Sequence, residues 1–130
     1  MISMAMLHDA QRVLKPVINR TPVIPTKGLV PGCAFYLKAD CLQKTGAFKL
    51  RGAYYKIATL SDEEKERGVI ACSAGNHAQG VAFAARDMGI KATICIPEGA
   101  PISKIEATRS YGAEGVLVPG VYDDAYAEAI

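Results

Sequence analysis

The sequence lacks the features that would assign it to several large functional classes. Lysine and arginine nearly balance aspartate and glutamate, for a formal net charge of +2, and the two signs are interspersed. There is thus no basic stripe or terminal arm of the kind that nucleic-acid binding requires. No stretch reaches the roughly 18 uninterrupted apolar residues of a membrane span, so a soluble protein is expected. The N-terminus "MISMAMLHDAQRVLKPV" has no basic region ahead of a long apolar run; Asp9, Gln11 and Arg12 interrupt its apolar residues at helical spacing, and it reads as an amphipathic helix rather than a leader. The four cysteines, Cys33, Cys41, Cys72 and Cys95, have none of the short paired spacings of a zinc site or redox motif. They read as buried free thiols of a cytoplasmic protein. There is no internal repeat and no low-complexity linker.

What remains is a chain of 130 residues, half of them hydrophobic, enough for one domain with a real core. Three short apolar runs recur, "GVIACSA" at 68–74, "KATICIP" at 91–97 and "EGVLVPG" at 114–120. Each is continuous and polar only at its ends, as expected of strands covered on both faces. Between the first two, Val81, Ala84, Ala85 and Met88 repeat at helical spacing before Gly89. Between the second and third, Pro101 is placed to open a helix and Gly112 to end it. Strand, helix, strand, helix, strand at this spacing predicts an α/β fold with parallel βαβ crossovers.

Upstream, Ser61 with Glu64 three residues on is a capping-box signature for a short helix. The segment 48–60 predicts a helix and "AFYLKAD" at 34–40 a strand. The stretch "NRTPVIPTKGLVPGC" carries three prolines and two glycines and predicts an extended connection with turns. At the other end, "VYDDAYAEAI" begins a helix, with Asp123 and Asp124 near its positive end, and the sequence stops without a following strand.

Two segments carry candidate chemistry. In "ACSAGNHAQG" a strand ends in small residues and turns through Gly75 into a helix, so backbone N–H groups around Ser73, Ala74, Gly75, Asn76 and His77 can converge on an anion. Sites in open α/β sheets lie at such strand ends. The same residues also suit an ordinary tight turn with Ser73 and Asn76 as local caps. His77 has no partner at metal-ligand spacing and fits a site wall or structural role better than a ligand or an acid–base role. In "QKTGAFKLRGAYYK", Lys49 follows Phe48 directly and has Lys44 and Arg51 nearby. Burial and neighbouring positive charge both lower a lysine pKa, and only the neutral amine attacks a carbonyl. Alone, the segment leaves Lys49 open between a surface charge and a nucleophile.

Taken together, "KADCLQKTGAFKLRGAYYK" and "SAGNHAQGVA" resemble the fold-type-II pyridoxal-phosphate enzymes, and most closely the threonine/serine dehydratases. The similarity continues through "RTPVIPT", "IPEGAPISKIEATRSYGAE" and "YDDA". The resemblance implies a three-layer parallel sheet, with residues 46–130 as the small domain and residues 1–45 as an incomplete strip of the large one. It implies that Lys49 carries pyridoxal 5'-phosphate as an internal aldimine, that Phe48 packs on the pyridine ring and that Asn76 bonds the phenolic oxygen. The turn Ser73, Ala74, Gly75, Asn76 and His77 would hold the carboxylate of a small amino-acid substrate. The reaction implied is removal of the Cα proton by the released Lys49 amine, loss of the β-hydroxyl and hydrolysis to a 2-oxo acid and ammonia.

Details separate relatives within that resemblance. Cysteine- and threonine-synthase-like members resemble "SGNT" in the turn, and usually show Asp-Arg where this chain has Leu50, Arg51 and Gly52. Serine racemases carry a second serine where this chain has Ala74, which favours dehydration over racemisation. Ala47 stands where many members have serine, and Asp40 where many have glutamate. The glycine-rich phosphate loop and the pyridine-nitrogen partner of the family are not found in residues 1–130, so the chain is expected to be an N-terminal portion, weak in cofactor binding and without lyase activity alone, homo-oligomeric in its full-length form. A noncatalytic binding module and a racemase- or diaminopropionate-lyase-like enzyme of the same fold are the alternatives.

Overall fold

The run Ala92–Pro97 becomes the middle strand of a parallel sheet, and the rest of the fold is arranged around it. The computed structural model describes residues 2–27 and 30–130. In chain order its elements are α1 (Met4–Leu14), β1 (Val23–Thr26), β2 (Phe35–Lys38), α2 (Lys49–Ala58), α3 (Asp62–Arg67), β3 (Val69–Cys72), α4 (Asn76–Asp87), β4 (Ala92–Pro97), α5 (Ile102–Ser110), β5 (Glu114–Val118) and α6 (Tyr122–Glu128). The sheet order is β3-β4-β5, all parallel, with Ala71 opposite Ile94 and Ile94 opposite Gly115. The βαβαβ reading and the α/β class therefore hold. Among the described residues no helix is long and apolar enough to cross a membrane.

Alternation along β4 assigns the two faces. Ile94 and Ile96 are fully buried in the core with Leu50, Ala82 and Phe83, beneath α4 and α5. Cys95 points the other way; its register partner Cys72 lies close under α6, with Sγ 3.7 Å from the Tyr122 carbonyl oxygen. The sheet is thus sandwiched between helices, α6 on one side and α4 and α5 on the other. Only β4 is covered on both faces, however. On β3, Ile70 is 61% exposed, and on β5 Leu117 is also exposed. Both are edge strands: Ile70 lies on the α6 face, which the seven-residue α6 leaves partly open, and Leu117, opposite Ile96, lies on the α5 face.

The layer that positions the site is α2 against α4. Leu50, Ala53, Tyr54 and Ile57 give α2 a buried stripe at spacings of three and four, and α4 answers with Ala78, Val81, Ala82 and Ala85. Residues this small let two helices approach closely. At the far end the Tyr54 hydroxyl donates to Asp87 at 2.7 Å, and burial, with Asp87 second, pushes the phenol up to about 12. The short helix α3 carries the expected capping box, with Glu64 N on Ser61 Oγ at 3.2 Å and Ser61 N on Glu64 Oε2 at 2.8 Å.

The N-terminal segment departs from expectation in two ways. Val23–Thr26, read as part of an extended connection, is a strand paired antiparallel with β2. Pro25 fits there because each strand of a two-stranded ribbon has an outward edge that needs no N–H. Residues 28 and 29 of that stretch lie outside the described residues. Second, Cys33 and Cys41 are exposed and Cys72 is partly so, leaving Cys95 as the buried thiol. The cause is the ribbon itself: Val23, Ile24, Tyr36 and Leu37 are exposed on it, so nothing covers the neighbouring thiols.

What fastens this ribbon to α2 is a polar cluster. Arg51 makes a two-pronged ion pair with Asp40, Nε to Oδ2 at 2.8 Å and Nη2 to Oδ1 at 2.9 Å. Buried Thr21 donates to Asp40 Oδ1 and accepts from Lys38 Nζ at 2.8 Å. Gln43, also buried, bridges both backbone groups of Asn19 at 2.8 and 3.0 Å. The Arg51 guanidinium, followed by the Thr21 hydroxyl, lowers the Asp40 pKa to about 2 from 3.8 against the opposing effect of burial. The folded value lies below the unfolded one, so this stabilisation is complete above pH 4 and disappears as pH falls towards 2. Asp40→Asn should therefore lose on the order of 1–2 kcal/mol at pH 7 by urea denaturation and show a flatter stability decline between pH 4 and 2 than the parent chain.

Candidate active site

Lys49 is the first residue of α2, and the loop before it is held on three sides. Gly46, at φ +69°, closes a tight turn by donating to the Gln43 carbonyl at 2.7 Å, in a left-handed conformation that favours glycine. Lys44 offers its carbonyl to the Tyr111 hydroxyl at 3.3 Å and lays its ammonium 5.6 Å from the Phe83 ring centre. Arg86 stacks over both Phe83 and Tyr111, at 5.3 and 5.1 Å. These contacts fix where α2 begins. Phe48 stays 61% exposed, with Lys49 Nζ 5.5 Å from its ring centre. Among the described residues no carboxylate pairs with that amine.

Gly80 brings the second segment to the first. A Cβ at Gly80 would stand 3.2 Å from Lys49 C, Lys49 O and Leu50 N, so the middle of α4 lies directly on the peptide that opens α2. One helical turn earlier on α4 are Asn76 and His77. Their nearness to Lys49 registers electrostatically: the His77 pKa is lowered, first by desolvation and then by the Lys49 charge. The imidazole keeps an accessible edge and is neutral at pH 7.

The turn itself is only partly free for a ligand. Ser73, buried, extends the sheet by donating its N–H to Cys95 at 3.1 Å, and its Oγ accepts from Gly75 N at 3.2 Å. The amides of Ala74, Asn76 and His77 have no acceptor among the described residues. No side chain caps α4 at Gly75, and no acidic residue sits in its first turn, so the positive helix end is uncompensated. Asn76 does not act as a cap: its Oδ1 accepts from Lys104 Nζ of α5 at 2.9 Å. No three His, Cys, Asp or Glu side chains group as metal ligands among the described residues.

An unpaired amine beside an exposed aromatic face, next to an uncompensated helix N-terminus, is the arrangement an aldehyde with acidic oxygens would need. Residues 14–130 match the family model described as pyridoxal-phosphate dependent enzyme. The chain belongs to this family. L-threonine ammonia-lyase of Thermotoga maritima is 53% identical over 132 aligned positions, spanning all of this chain and 33% of that protein. Among solved structures, the threonine deaminase isoform 2 of Solanum lycopersicum, in its processed form, superposes with a TM-score of 0.85 at 38% identity, covering 96% of this chain and 37% of that one. Maize serine racemase gives a TM-score of 0.90 at 36% identity, covering 98% and 39%. The chain thus spans about a third of the length of the curated relative it matches.

The residues present fit one side of a pyridoxal phosphate and leave the other open. Lys49 and Phe48 open α2 where α4 packs on it and the Lys49 charge reaches His77, whereas Phe48, Lys49, Asn76 and His77 are all exposed rather than roofed. Two residues that matter here went unnoticed in the sequence. Gly80 carried a signal, a lone glycine within a helical pattern, which usually has a packing reason. Lys104 carried none, because its contact with Asn76 spans 28 residues.

Two outcomes follow from this geometry. Gly80→Val should cost about 1–3 kcal/mol in urea denaturation, since the added methyls meet backbone rather than a yielding side chain. Lys49→Met should raise the His77 midpoint in an NMR titration but not restore it to an ordinary histidine value, because the larger cause, desolvation of the part of the ring that faces protein, remains.

Proposed function

We propose that this chain contributes the cofactor lysine and substrate-carboxylate turn of a pyridoxal-phosphate-dependent ammonia-lyase acting on L-threonine and L-serine, releasing a 2-oxo acid and ammonia. The observation that supports the reading is the approach at Gly80, where α4 rests on the Lys49–Leu50 peptide, with the Lys49 charge near enough to His77 in the first turn of α4 to lower its pKa. Residues 46–130 are read as the small domain and residues 1–45 as a strip of the large one. Two features support that division: the exposed apolar ribbon β1–β2, and an accessible surface of 8439 Å² where a compact monomer of this mass shows about 6,600 Å². The glycine-rich cradle for the phosphate and the partner of the pyridine nitrogen would belong to further length of such an enzyme, which would also roof the site and be homo-oligomeric. Four free thiols suit a cytoplasmic setting.

When bound, pyridoxal phosphate supplies the electron sink that makes loss of an amino-acid Cα proton feasible. The chain's own residues divide the remaining work. The Lys49 amine, with no carboxylate partner among the described residues, would hold the cofactor and, once released, would take up the Cα proton. The exposed Phe48 face would cover one side of the cofactor ring. Amides of Ala74, Asn76 and His77, at a positive helix end, bind the substrate carboxylate and fix the Cα–H bond relative to the amine. Neutral His77 walls the site without adding a second cation. Ala74 would offer no hydroxyl on the opposite side to return a proton with inverted stereochemistry, which favours elimination over racemisation.

Treating the 130-residue chain with pyridoxal phosphate and then borohydride should place the pyridoxyl label on Lys49 in preference to the other lysines, as read by peptide mass spectrometry. Labelling spread evenly over exposed lysines such as Lys91 would defeat the reading, as would 2-oxobutyrate formation from threonine by a Lys49→Ala chain.

A further inference from the structure

We propose that Lys104 is a positioning residue for the cofactor side of this site: its ammonium fixes the Asn76 carboxamide so that Asn76 presents a hydrogen-bond donor, not an acceptor, to the ligand. The proposal rests on the functional reading above, in which Asn76 meets the acidic phenolic oxygen of pyridoxal phosphate. Ordinarily the two ends of an asparagine amide are hard to tell apart. Here the chemistry decides, because an ammonium has three donors and no acceptor, and the atom 2.9 Å from Lys104 Nζ must therefore be the oxygen.

Several observations bear on why a lysine stands there. Lys104 occupies the first turn of α5, where Thr108, fully buried, donates its hydroxyl back to the Lys104 carbonyl at 2.9 Å and anchors the backbone that carries the ammonium. No carboxylate pairs with Lys104 among the described residues, so Asn76 is the partner it has. With Oδ1 spent on Lys104, the two Nδ2 hydrogens are left without an acceptor among the described residues. A donor facing the site suits a phenolate-type oxygen, while an oxygen turned the same way would repel it. The ammonium also lies near the positive end of α4, an unfavourable place for a cation unless an anion joins it. Lys104 therefore favours, through Asn76 and through its own charge, an acidic oxygen at this edge of the site.

The test uses the 130-residue chain and three variants, Lys104→Met, Lys104→Arg and Asn76→Asp. Without cofactor, the Asn76 side-chain amide signals in a nitrogen–proton NMR spectrum should move in Lys104→Met and return in Lys104→Arg, while the backbone amides of Thr108 and Ile105 stay in place. With pyridoxal phosphate and borohydride, labelling of Lys49, normalised to Lys91, should slow roughly threefold to tenfold in Lys104→Met. It should stay near the parent rate in Lys104→Arg. Asn76→Asp keeps an acceptor for the ammonium but replaces the donor, and should lose at least as much labelling as Lys104→Met. Unmoved Asn76 signals in Lys104→Met would overturn the proposal, and so would moved signals with unchanged Lys49 labelling. If the parent chain shows no preference for Lys49, the functional reading fails, while the cofactor-free spectra still decide whether Lys104 orients Asn76.

Discussion

The close approach of α4 to the start of α2 is the constraint on which the rest of the site depends. A hydrogen atom at Gly80 allows the backbone of one helix to rest on the Lys49–Leu50 peptide of the other, where a Cβ would lie at 3.2 Å. From that contact the remaining geometry follows. The first turn of α4 is brought to the start of α2, the alanines of α4 pack against the apolar stripe of α2, and the Tyr54–Asp87 bond closes the far end. A larger residue at position 80 would open this wedge at the end where the chemistry lies. The same contact explains how groups from two distant segments influence one another, since His77 feels the Lys49 charge across it.

Around this wedge the chain uses charge as a fastener where apolar contact is missing. The ribbon β1–β2 buries little of itself and could not be held by hydrophobic area alone. Arg51 and Asp40, completed by Thr21 and Lys38, join it to the first turn of α2, two residues beyond Lys49. A fork-shaped, mostly buried ion pair is directional in a way that apolar packing is not, and it orients the helix as well as attaching it. The short aspartate arm suffices for the pair; both guanidinium contacts form, at 2.8 and 2.9 Å.

Local signals in the sequence predicted the sheet well because they are properties of short segments. The runs at 68–74, 91–97 and 114–120 contain β3, β4 and β5, and Gly89 and Gly112 sit just past α4 and α5 at positive φ. The capping box at Ser61 and Glu64 formed as read. Errors arose where the outcome depends on what lies above a segment. Three proline residues suggested a connection at 19–33, yet a ribbon edge tolerates Pro25 and Val23–Thr26 pairs as a strand. Likewise, cysteine's usual burial failed for Cys33 and Cys41, since the segment carrying them has no cover. At the site, Lys49 and the 73–77 turn were visible as residue types, but not the contacts that join them. Gly80 was legible in principle; Lys104 was not, because nothing in the nine residues of α5 announces a partner on another helix.

The openness of the site is a physical statement about division of labour. An amine, an aromatic face and helix-end donors are the parts of such a site that must be set to within a fraction of an ångström, and here they sit at the starts of two helices packed on one another. Exclusion of water, by contrast, needs only a lid of the right shape, and the exposed face of Phe48 is the apolar surface beside Lys49 on which one would rest. An electrostatic interaction at the end of α4 strengthens severalfold when water is removed from around it. The arrangement of Lys49, the 73–77 turn and Lys104 therefore supplies direction and sign before closure, while closure supplies magnitude. On the proposed reading the chain would hold the part of the chemistry that decides which bond is cleaved, and a covering surface would decide how fast.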